Sequence, residues 1–380
     1  MRSVWKNPIM KLEKITYSHE EAGDRSWTIS DFVLKDINLL VGKNASGKSM
    51  TLNIVGGLAR SLKTKQVFYS GKWDLQFDNK GSKIRYELEM KKQKVVMENF
   101  YVDSKCLIDR GIGGFGEIYS VTEKKFMKFQ PPDDELAVVA RRDSIQHPYL
   151  EPLNEWARNL RLYHFGDRLG QDRPILLNKD FDLSLDPSDE HATGQIFHEG
   201  DRLFHLEFKK NVIENMRDVG YALDDILIES LSAIRTQNDP RDSYVLCVKE
   251  SGLKGFTDQI IMSSGMFRAL SIVIHLNYSL LSGKPSCLII DDIGEGLDFE
   301  RSCNLIEVVM NKAKASSVQL IMSTNDRFVM NKVPLEYWSV IRRKAHTSEI
   351  INKENSPELF EDFKFTGLNN FDFFARYLED

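Results

Sequence analysis

The 380-residue sequence lacks the patterns that would indicate a disulfide-bonded, zinc-bound or membrane-embedded protein. Its four cysteines form no CxxC pair, so a zinc ribbon is not expected. Its eight histidines are scattered without the spacing of metal ligands. No apolar run reaches the ~18 residues of a membrane span, and Met1 to Lys14 contains no apolar signal core. We therefore expect a soluble, cytoplasmic protein without a membrane partner.

The sequence also lacks a strong excess of either charge. A net charge of −5 and a pI of about 6.0 argue against a protein that is basic over its whole surface. Local basic clusters could still follow a phosphate backbone, with solvated surface charge as the alternative. These clusters are Lys91–Lys94, Arg141–Arg142, Lys209–Lys210 and Arg342–Lys344. With 42% hydrophobic and 28% charged residues, the composition is typical of a globular protein.

Apolar periodicity predicts strands in the first third of the chain. Ile37–Val41 has the pattern of a buried strand, and a glycine loop separates it from the helical spacing of Ser49–Ser61. Further along, Asn79-Lys80-Gly81 predicts a hairpin turn within an antiparallel lobe.

Residues 131–243 differ in character from what precedes them. Pro131-Pro132 opens this segment, and helical spacing follows around Leu153–Leu162 and Leu203–Ile234. Strands return near Tyr244, and no sustained heptads indicate a long coiled coil.

The strongest motif follows the strand predicted at Ile37–Val41. It matches the pattern GxxxxGK[ST] and lies between a predicted strand and a predicted helix, as that pattern requires. The motif is Gly42-Lys43-Asn44-Ala45-Ser46-Gly47-Lys48-Ser49. Its glycines let backbone N–H groups face phosphate oxygens, and a helix N-terminus adds partial positive charge. Lys48 is expected to contact the β- and γ-phosphates and Ser49 to hold Mg²⁺; a chance glycine loop is the alternative.

A second motif lies far downstream, where Cys287–Asp292 forms an apolar run that ends in two carboxylates. Asp291 is expected to bind Mg²⁺ through water, together with Ser49. Asp292 occupies the position of a general base that orients an attacking water. The alternative is a strand that ends in a solvated acidic turn.

Two further stretches complete the pattern. Ser263-Ser264-Gly265 precedes a helical segment at Ala269–Leu281 and could present a hydroxyl and free N–H groups to a phosphate, with an ordinary N-cap as the alternative. Gly296-Leu297-Asp298 follows Asp292 closely, and Leu320–Asp326 predicts a strand and turn that contain Asn325.

The order of these motifs resembles the P-loop, signature loop, Walker B strand, D-loop and switch loop of an ABC-type P-loop ATPase. The chain is most similar in style to SMC-like and OLD-like ATPases, AAA-family proteins that often occur in phage-defence operons. The resemblance implies an α/β fold whose ABC-type core carries an N-terminal antiparallel β-lobe and an inserted helical region. It assigns 1–130 and 244–345 to the two halves of the core, 131–243 to the insertion and 346–380 to a C-terminal tail.

The resemblance also implies ATP and Mg²⁺ as ligands and a homodimer as the active unit. In that family the signature serine, here Ser263 or Ser264, contacts ATP held by the partner subunit. Gly265 and Asp298 would lie in the same composite site. The output would pass to a separately encoded effector.

Two assignments in the nucleotide site stay open on the sequence alone. In the family, a glutamine between the core and the inserted domain touches Mg²⁺, and Gln130 is the candidate by position. Tyr17 or Trp27 could stack on adenine, although aromatic residues on strands are commonly buried in the core.

Three departures from the family pattern affect the expected activity. Asp292 stands where glutamate is usual, and Asn325 stands where a titratable histidine is usual. With Lys48, Asp292 and Asn325 as the catalytic set, we expect slow hydrolysis. About 54 residues follow Asp326, too few for the nuclease domain of OLD-type proteins.

The leading hypothesis is an ATP-gated dimeric sensor or scaffold that controls an effector in anti-phage defence. The alternatives are a DNA-repair or chromosome ATPase that clamps nucleic acid, and a nucleotide-gated interaction module that does not hydrolyse ATP. Gly111–Tyr119 resembles the glycine loop of a protein kinase, but the sequence has neither an HRD nor a DFG motif, so a glycine-rich hairpin is the better interpretation.

Overall fold

The computed structural model describes residues 10–19, 26–64, 70–166, 175–177, 186–230, 242–283, 286–316, 318–364, 366 and 368–378. Its strands are β1 Lys11–His19, β2 Trp27–Val33, β3 Ile37–Val41, β4 Gly71–Asn79, β5 Ser82–Lys91, β6 Lys94–Val102, β7 Lys105–Arg110, β8 Gly116–Ser120, β9 Lys125–Phe129, β10 Leu160–His164, β11 Ile175–Leu177, β12 Leu223–Ser230, β13 Asp242–Glu250, β14 Thr257–Asp258, β15 Cys287–Asp291, β16 Gln319–Thr324, β17 Trp338–Lys344 and β18 Thr347–Asn352. Its helices are α1 Lys48–Thr64, α2 Ala137–Ala140, α3 Glu151–Asn159, α4 Thr193–Val219, α5 Ser264–Leu281, α6 Phe299–Ser316, α7 Arg327–Lys332, α8 Pro357–Lys364 and α9 Asn370–Leu378. None of these helices is long and apolar enough to span a bilayer.

Fourteen of the described strands form one sheet, in the order β10-β15-β16-β3-β17-β18-β2-β1-β4-β5-β6-β7-β8-β9. The strands from β10 to β17 in this order run parallel, whereas β4 to β9 form an antiparallel meander. β3, β15 and β16 are buried along their whole length, because helices cover both faces of parallel strands. The α/β class and the antiparallel lobe expected from the sequence are confirmed.

The hairpin predicted at Asn79-Lys80-Gly81 is also present. β4 ends at Asn79 and β5 begins at Ser82, so Lys80 and Gly81 form a two-residue turn. Both turn residues have positive φ, at 60° and 88°. A two-residue turn of this kind matches the right-handed twist of the strands that it joins.

The parallel part of the sheet separates two apolar cores. Leu288 and Ile290 of β15 face a core that includes residues from α4, α5 and α6. Cys287 and Ile289, on the other face of β15, pack in a core shared with α1, α3 and the antiparallel lobe. This alternation holds the carboxyl end of β15 beside the start of α1, where the nucleotide motif lies.

Residues 131–243 are expected to be an inserted helical region, but the described part of this segment is only partly helical. β10 pairs in parallel with β15 and so belongs to the core sheet. The helical spacing of Leu153–Leu162 holds only as far as Asn159, after which Leu160 to Tyr163 continue as a strand. The helix predicted at Leu203–Ile234 ends at Val219, and β12 follows it; residues 231–234 of that prediction lie outside the described residues.

The segment 346–380, expected to be a tail, contributes to the core. β18 pairs with both β17 and β2, so it lies within the main sheet. Phe360, Phe363 and Phe373 of the two following helices are buried against each other. The apolar–polar alternation of Thr347–Asn352 is the local cause, because every second side chain of this strand is buried.

Candidate functional site

The motifs found in the sequence meet at one edge of the parallel sheet. Val41 at the end of β3 pairs with Thr324 at the end of β16, and Ile290 of β15 pairs with Met322. His164 at the end of β10 lies opposite Asp291. Because these strands are parallel, their carboxyl ends lie together, which is where open α/β sheets bind ligands.

The P-loop follows β3 in a strained, glycine-dependent conformation. Ala45 and Gly47 have φ values of 62° and 104°. The indole ring of Trp27 packs so tightly on Gly47 that a Cβ there would lie 2.0 Å from a ring carbon. The loop is also held from β18, because the hydroxyl of Ser348 donates to the carbonyl of Ser46 at 3.1 Å. The hydroxyl of Ser46 itself is buried and has no partner among the described residues.

Gly47→Ala is expected to lower both stability and nucleotide affinity. The positive φ alone costs an L residue about 1–3 kcal/mol, and the contact with Trp27 would displace the loop. Thermal unfolding and titration with a fluorescent ATP analogue measure the two effects. Gly81→Ala is the matched control, since Gly81 also has a positive φ of 88° but nothing lies within 4 Å of its Cβ position. Equal losses of stability in the two variants would contradict the Trp27 contact.

Lys48 is buried at the start of α1, with its ammonium group aimed into the loop. The Nζ atom donates to the carbonyls of Gly42 and Lys43 at 3.0 and 3.3 Å. Burial lowers the pKa of Lys48, and the nearby carboxylates of Asp292 and Asp291 oppose this shift. The ammonium therefore lies among oxygen atoms, in a position to contact a phosphate bound in the loop.

Asp291 is buried, and Ser323 of β16 fixes its orientation. The Ser323 hydroxyl donates to Oδ1 of Asp291 at 2.5 Å and accepts a hydrogen bond from the backbone N–H of Asp292 at 2.9 Å. The sequence assigned no role to Ser323. One hydroxyl thus sets the positions of both acidic residues.

Asp292 has the conformation and environment of a perturbed functional carboxylate. Its φ of 53° is unusual for a residue other than glycine. Burial, followed by the charges of Asp291 and Glu295, raises the pKa of Asp292 to about 6, against the opposing effect of Lys48. The side-chain amide of Asn325 donates to Oδ1 of Asp292 at 3.1 Å. The structure therefore brings Lys48, Asp292 and Asn325 together.

His164 is a site residue that sequence reasoning missed. Its Nδ1 lies 2.8 Å from Oε1 of Glu190, and its Nε2 lies 3.0 Å from Oδ1 of Asn53 on α1. Although burial opposes it, hydrogen bonding from His164 lowers the pKa of Glu190. The signal was the short strand Leu160–His164, which the helical spacing of the preceding residues concealed. His164 links the end of β10 to the helix that follows the P-loop.

A cavity of about 700 Å³ opens above the P-loop. Its lining includes P-loop residues together with Asp292 and Asn325, and also Trp27 and Arg343. Of the two aromatic candidates, Trp27 therefore lies at the cavity. Tyr17 instead packs on Trp73, and its hydroxyl donates to the carbonyl of Ser70.

The signature and D-loop residues lie against each other but do not line this cavity. A Cβ at Gly265 would lie 3.0 Å from the carbonyl oxygen of Gly296. Ser263 caps α5 by accepting from the backbone N–H of Met266 at 3.3 Å, and Ser264 is the first residue of that helix. Asp298 accepts from both the backbone and the side chain of Arg301. Within one subunit these residues have structural roles at helix starts.

The structure does not place Gln130, the predicted metal ligand, among the residues that line the cavity. Gln130 follows β9, the strand at the far edge of the sheet, and its amide donates to the carbonyl of Gly113 at 3.0 Å. The segment just after Gln130 is held by the buried ion pair of Arg110 and Glu98, because Arg110 also donates to the carbonyl of Pro132. Chain position suggested Gln130, but the antiparallel meander carries it away from the P-loop.

The basic clusters are largely paired with carboxylates. Ion pairs join Lys91 to Glu89, Lys94 to Asp133, Arg142 to Glu151, Lys209 to Asp225, Lys210 to Glu214 and Lys344 to Glu349. These pairs neutralise charge that would otherwise attract a phosphate backbone. They favour the interpretation of these clusters as solvated surface charge.

The strand–loop–helix that carries Lys48 and Ser49, beside a buried strand that ends in Asp291 and Asp292, defines a P-loop ATPase with an ABC-type core. Residues 37–331 match the family described as "AAA domain, putative AbiEii toxin, Type IV TA system", and the chain belongs to this family.

Solved structures of similar fold include two SMC heads. One is an SMC head bound to the C-winged helix domain of ScpA, with a TM-score of 0.51 and 12% identity over 91% of this chain and 99% of the other. The second is an Smc head domain with an extended coiled coil bound to the C-terminal domain of ScpA, from Pyrococcus furiosus. Its TM-score is 0.50, with 12% identity over 94% of this chain and 100% of the other. At this identity the likeness concerns the fold alone, and no curated protein matches the chain.

Proposed function

We propose that the protein binds ATP at the P-loop and hydrolyses it slowly. The observation that carries this proposal is that Lys48, Asp292 and Asn325 all line the 700 Å³ cavity, with Asn325 hydrogen-bonded to Asp292. Lys48 would contact the phosphates, and Asp292, ionised above a pH of about 6, would orient the attacking water. Asn325 holds the Asp292 carboxylate in place through its amide.

The residues at this site also fit Mg²⁺. Ser49 and Asp291 offer the hydroxyl and carboxylate oxygens that Mg²⁺ accepts, and the hydrogen bond from Ser323 orients Asp291. Among the described residues no group of three His, Cys, Asp or Glu side chains could hold a metal by itself. An ion held by Ser49 and Asp291 would take its other ligands from phosphate and water, and it would supply positive charge beside the phosphates.

Slow turnover follows from the two substitutions at the catalytic position. The Asp292 carboxylate is one methylene shorter than the usual glutamate, so its reach toward a water is shorter. The amide of Asn325 stabilises the ionised carboxylate by hydrogen bonding and carries no titrating proton. Both features favour a switch that persists in its ATP-bound state.

We further propose that two copies close around two ATP molecules. Ser263, Ser264, Gly265 and Asp298 do not line the cavity of their own subunit, so a second copy would have to bring them to the γ-phosphate. Exposed apolar side chains flank both halves of this composite site. Ile260 and Ile261 precede the signature with 57% and 70% exposure, and Met50 follows Ser49 with 52%. Closure would cover these side chains.

The output of such a switch would pass to a separately encoded effector in the cytoplasm, in anti-phage defence. The family description names a toxin of a type IV toxin–antitoxin system, which supports a two-component arrangement. The similar SMC heads are described in complex with ScpA, which supports a protein partner.

The decisive experiment is the mass in solution with and without ATP and Mg²⁺. We expect ATP to convert monomer to dimer in the native chain and Asp292→Asn to retain the dimer for longer. Lys48→Ala is expected to stay monomeric. A mass that does not change with nucleotide in any of the three proteins would overturn the proposed closure, and ATP-driven dimerisation without phosphate release would identify a module that does not hydrolyse ATP.

A further inference from the structure

We propose that the guanidinium group of Arg343 is the platform on which the nucleobase stacks, so that the site accepts ATP and GTP with similar affinity. The inference rests on the proposed nucleotide binding at the P-loop. It adds the residue that contacts the base and the breadth of the substrate class.

The first observation is that Trp27 is covered. Trp27 is only 8% exposed, with its ring packed against Gly47 of the P-loop. Arg343 lies over this ring with its Cζ atom 5.1 Å from the ring centroid, and the Arg343 side chain is exposed. Both residues line the same cavity as the P-loop residues Asn44 and Ala45. A base that enters here meets Arg343 before it meets the indole.

The second observation is that Arg343 is held in a fixed orientation relative to the P-loop. Its Nε atom donates to the carbonyl of Ala345 at 3.0 Å. The hairpin that joins β17 to β18 is tied to β2, because the backbone N–H of Thr28 donates to the carbonyl of His346 at 3.0 Å. The same hairpin leads to Ser348, which bonds to the P-loop carbonyl of Ser46. The segment that carries Arg343 and the phosphate-binding loop are therefore joined by hydrogen bonds.

The third observation is that the guanidinium group of Arg343 is available to a ligand. Within the described residues, the two terminal nitrogens of Arg343 have no hydrogen-bond or ion-pair partner. A guanidinium is planar, stacks on aromatic faces and carries only donors. One face already rests on the electron-rich indole, and the other is open to the cavity.

A stacking platform selects ring size more than base identity. Every base has a π-face, and adenine and guanine both present N7 as an acceptor to a donor-only group. The expected order of affinity is therefore ATP similar to GTP, with both above the smaller pyrimidine nucleotides.

The test is calorimetric titration of the native chain and four variants with ATP, GTP and inorganic tripolyphosphate, each with Mg²⁺. We expect Arg343→Ala to weaken ATP and GTP roughly tenfold, the effect of losing one stacked base, and to leave tripolyphosphate unchanged. Arg343→Lys keeps the charge but loses the planar group, so it should stay weak for ATP. Lys344→Ala is the matched control, because the exposed neighbour Lys344 pairs with Glu349 and should bind as the native chain does.

Three results would overturn the proposal. If Arg343→Ala weakens tripolyphosphate as much as ATP, Arg343 contacts phosphate. If Arg343→Ala binds ATP normally, or if the native chain prefers ATP over GTP by more than about tenfold, stacking on Arg343 does not determine the binding of the base.

Lys48→Ala separates these outcomes from failure of the proposed function. ATP binding of native strength in Lys48→Ala would refute the P-loop site itself, whereas weakened binding in Lys48→Ala with normal binding in Arg343→Ala would refute only the platform.

Discussion

Asp292→Asn is expected to reduce steady-state phosphate release by about 10²–10⁴-fold and at the same time to raise the thermal stability of the nucleotide-free protein. The first effect follows because asparagine cannot accept a proton or orient a water as a carboxylate does. The second follows because Asp292 is forced to ionise beside Asp291 and Glu295 in a buried position. Asp292 therefore lowers the stability of the folded protein, as residues needed for activity often do.

The stability effect should depend on pH in a defined direction. The pKa of Asp292 is raised to about 6 in the folded protein, against an ordinary value of 3.8. The folded state therefore binds this proton more tightly than the unfolded state does, and the stability of the native protein falls as pH rises between these two values. The gain in Tm from Asp292→Asn should be largest near pH 8 and should shrink toward about pH 5, where the native carboxyl is protonated.

Calorimetric unfolding across this pH range, together with a phosphate-release assay, measures both effects. Asp36→Asn is a suitable control, because Asp36 is an exposed carboxylate paired with Lys11 at the other end of β3. It should change Tm little and without this pH trend. A lower Tm for Asp292→Asn at about pH 8 would show that the charge of Asp292 is compensated in the folded state.

The parts of the site that the sequence predicted are those fixed by contiguous residues. Ile37–Ser49 and Cys287–Asp292 each contain an apolar strand and, within a few positions of its end, the residues that carry the chemistry. Local periodicity and turn chemistry were therefore sufficient to identify them. Their meeting at one sheet edge then follows from the parallel pairing of the strands.

The parts that the sequence did not predict depend on strand order. β10 has only five residues and directly follows α3, so its pattern merged with helical spacing. The pairing of β10 with β15 joins segments that are far apart in the chain, so local pattern does not show it. His164 lies beside Asp291 only because of this pairing. For the same reason the position of Gln130 along the chain does not show that β9, the strand before it, lies at the far edge of the sheet.

The contact between Arg343 and Trp27 is another feature that could not be predicted from the sequence. The two residues are more than 300 positions apart in the chain, and only the parallel pairing of β18 with β2 brings them together. The sequence suggested Trp27 as an aromatic candidate, but it offered no sign that an arginine covers the ring. The local sequence pattern identifies a candidate side chain such as Trp27. The order of the strands in the sheet determines whether that side chain or another one, here Arg343, faces the ligand.

Lys48→Ala is expected to weaken ATP binding by roughly 10²-fold, which is the scale of a lost charge-assisted hydrogen bond of up to ~3 kcal/mol. It should also destabilise the nucleotide-free protein, because, although burial of the Lys48 charge lowers its pKa and opposes this effect, Lys48 is the cation that offsets the charges of Asp291 and Asp292. Removing one partner from a buried set of charges leaves the others uncompensated. The pKa of Asp292 should then rise further, so the loss of stability should be greatest at about pH 8 and smaller at about pH 5.

The double variant Lys48→Ala/Asp292→Asn distinguishes this electrostatic account from a simple packing defect. If charge is the cause, Asp292→Asn should restore much of the Tm lost in Lys48→Ala, and the two effects should be strongly non-additive. ATP binding should not return, because the cation that contacts the phosphates is still absent. Lys63→Ala, at the other end of the same helix, controls for loss of a lysine from α1 and should leave ATP affinity unchanged. Additive losses of stability in the double variant would mean that Lys48 stabilises the loop through its bonds to Gly42 and Lys43 alone.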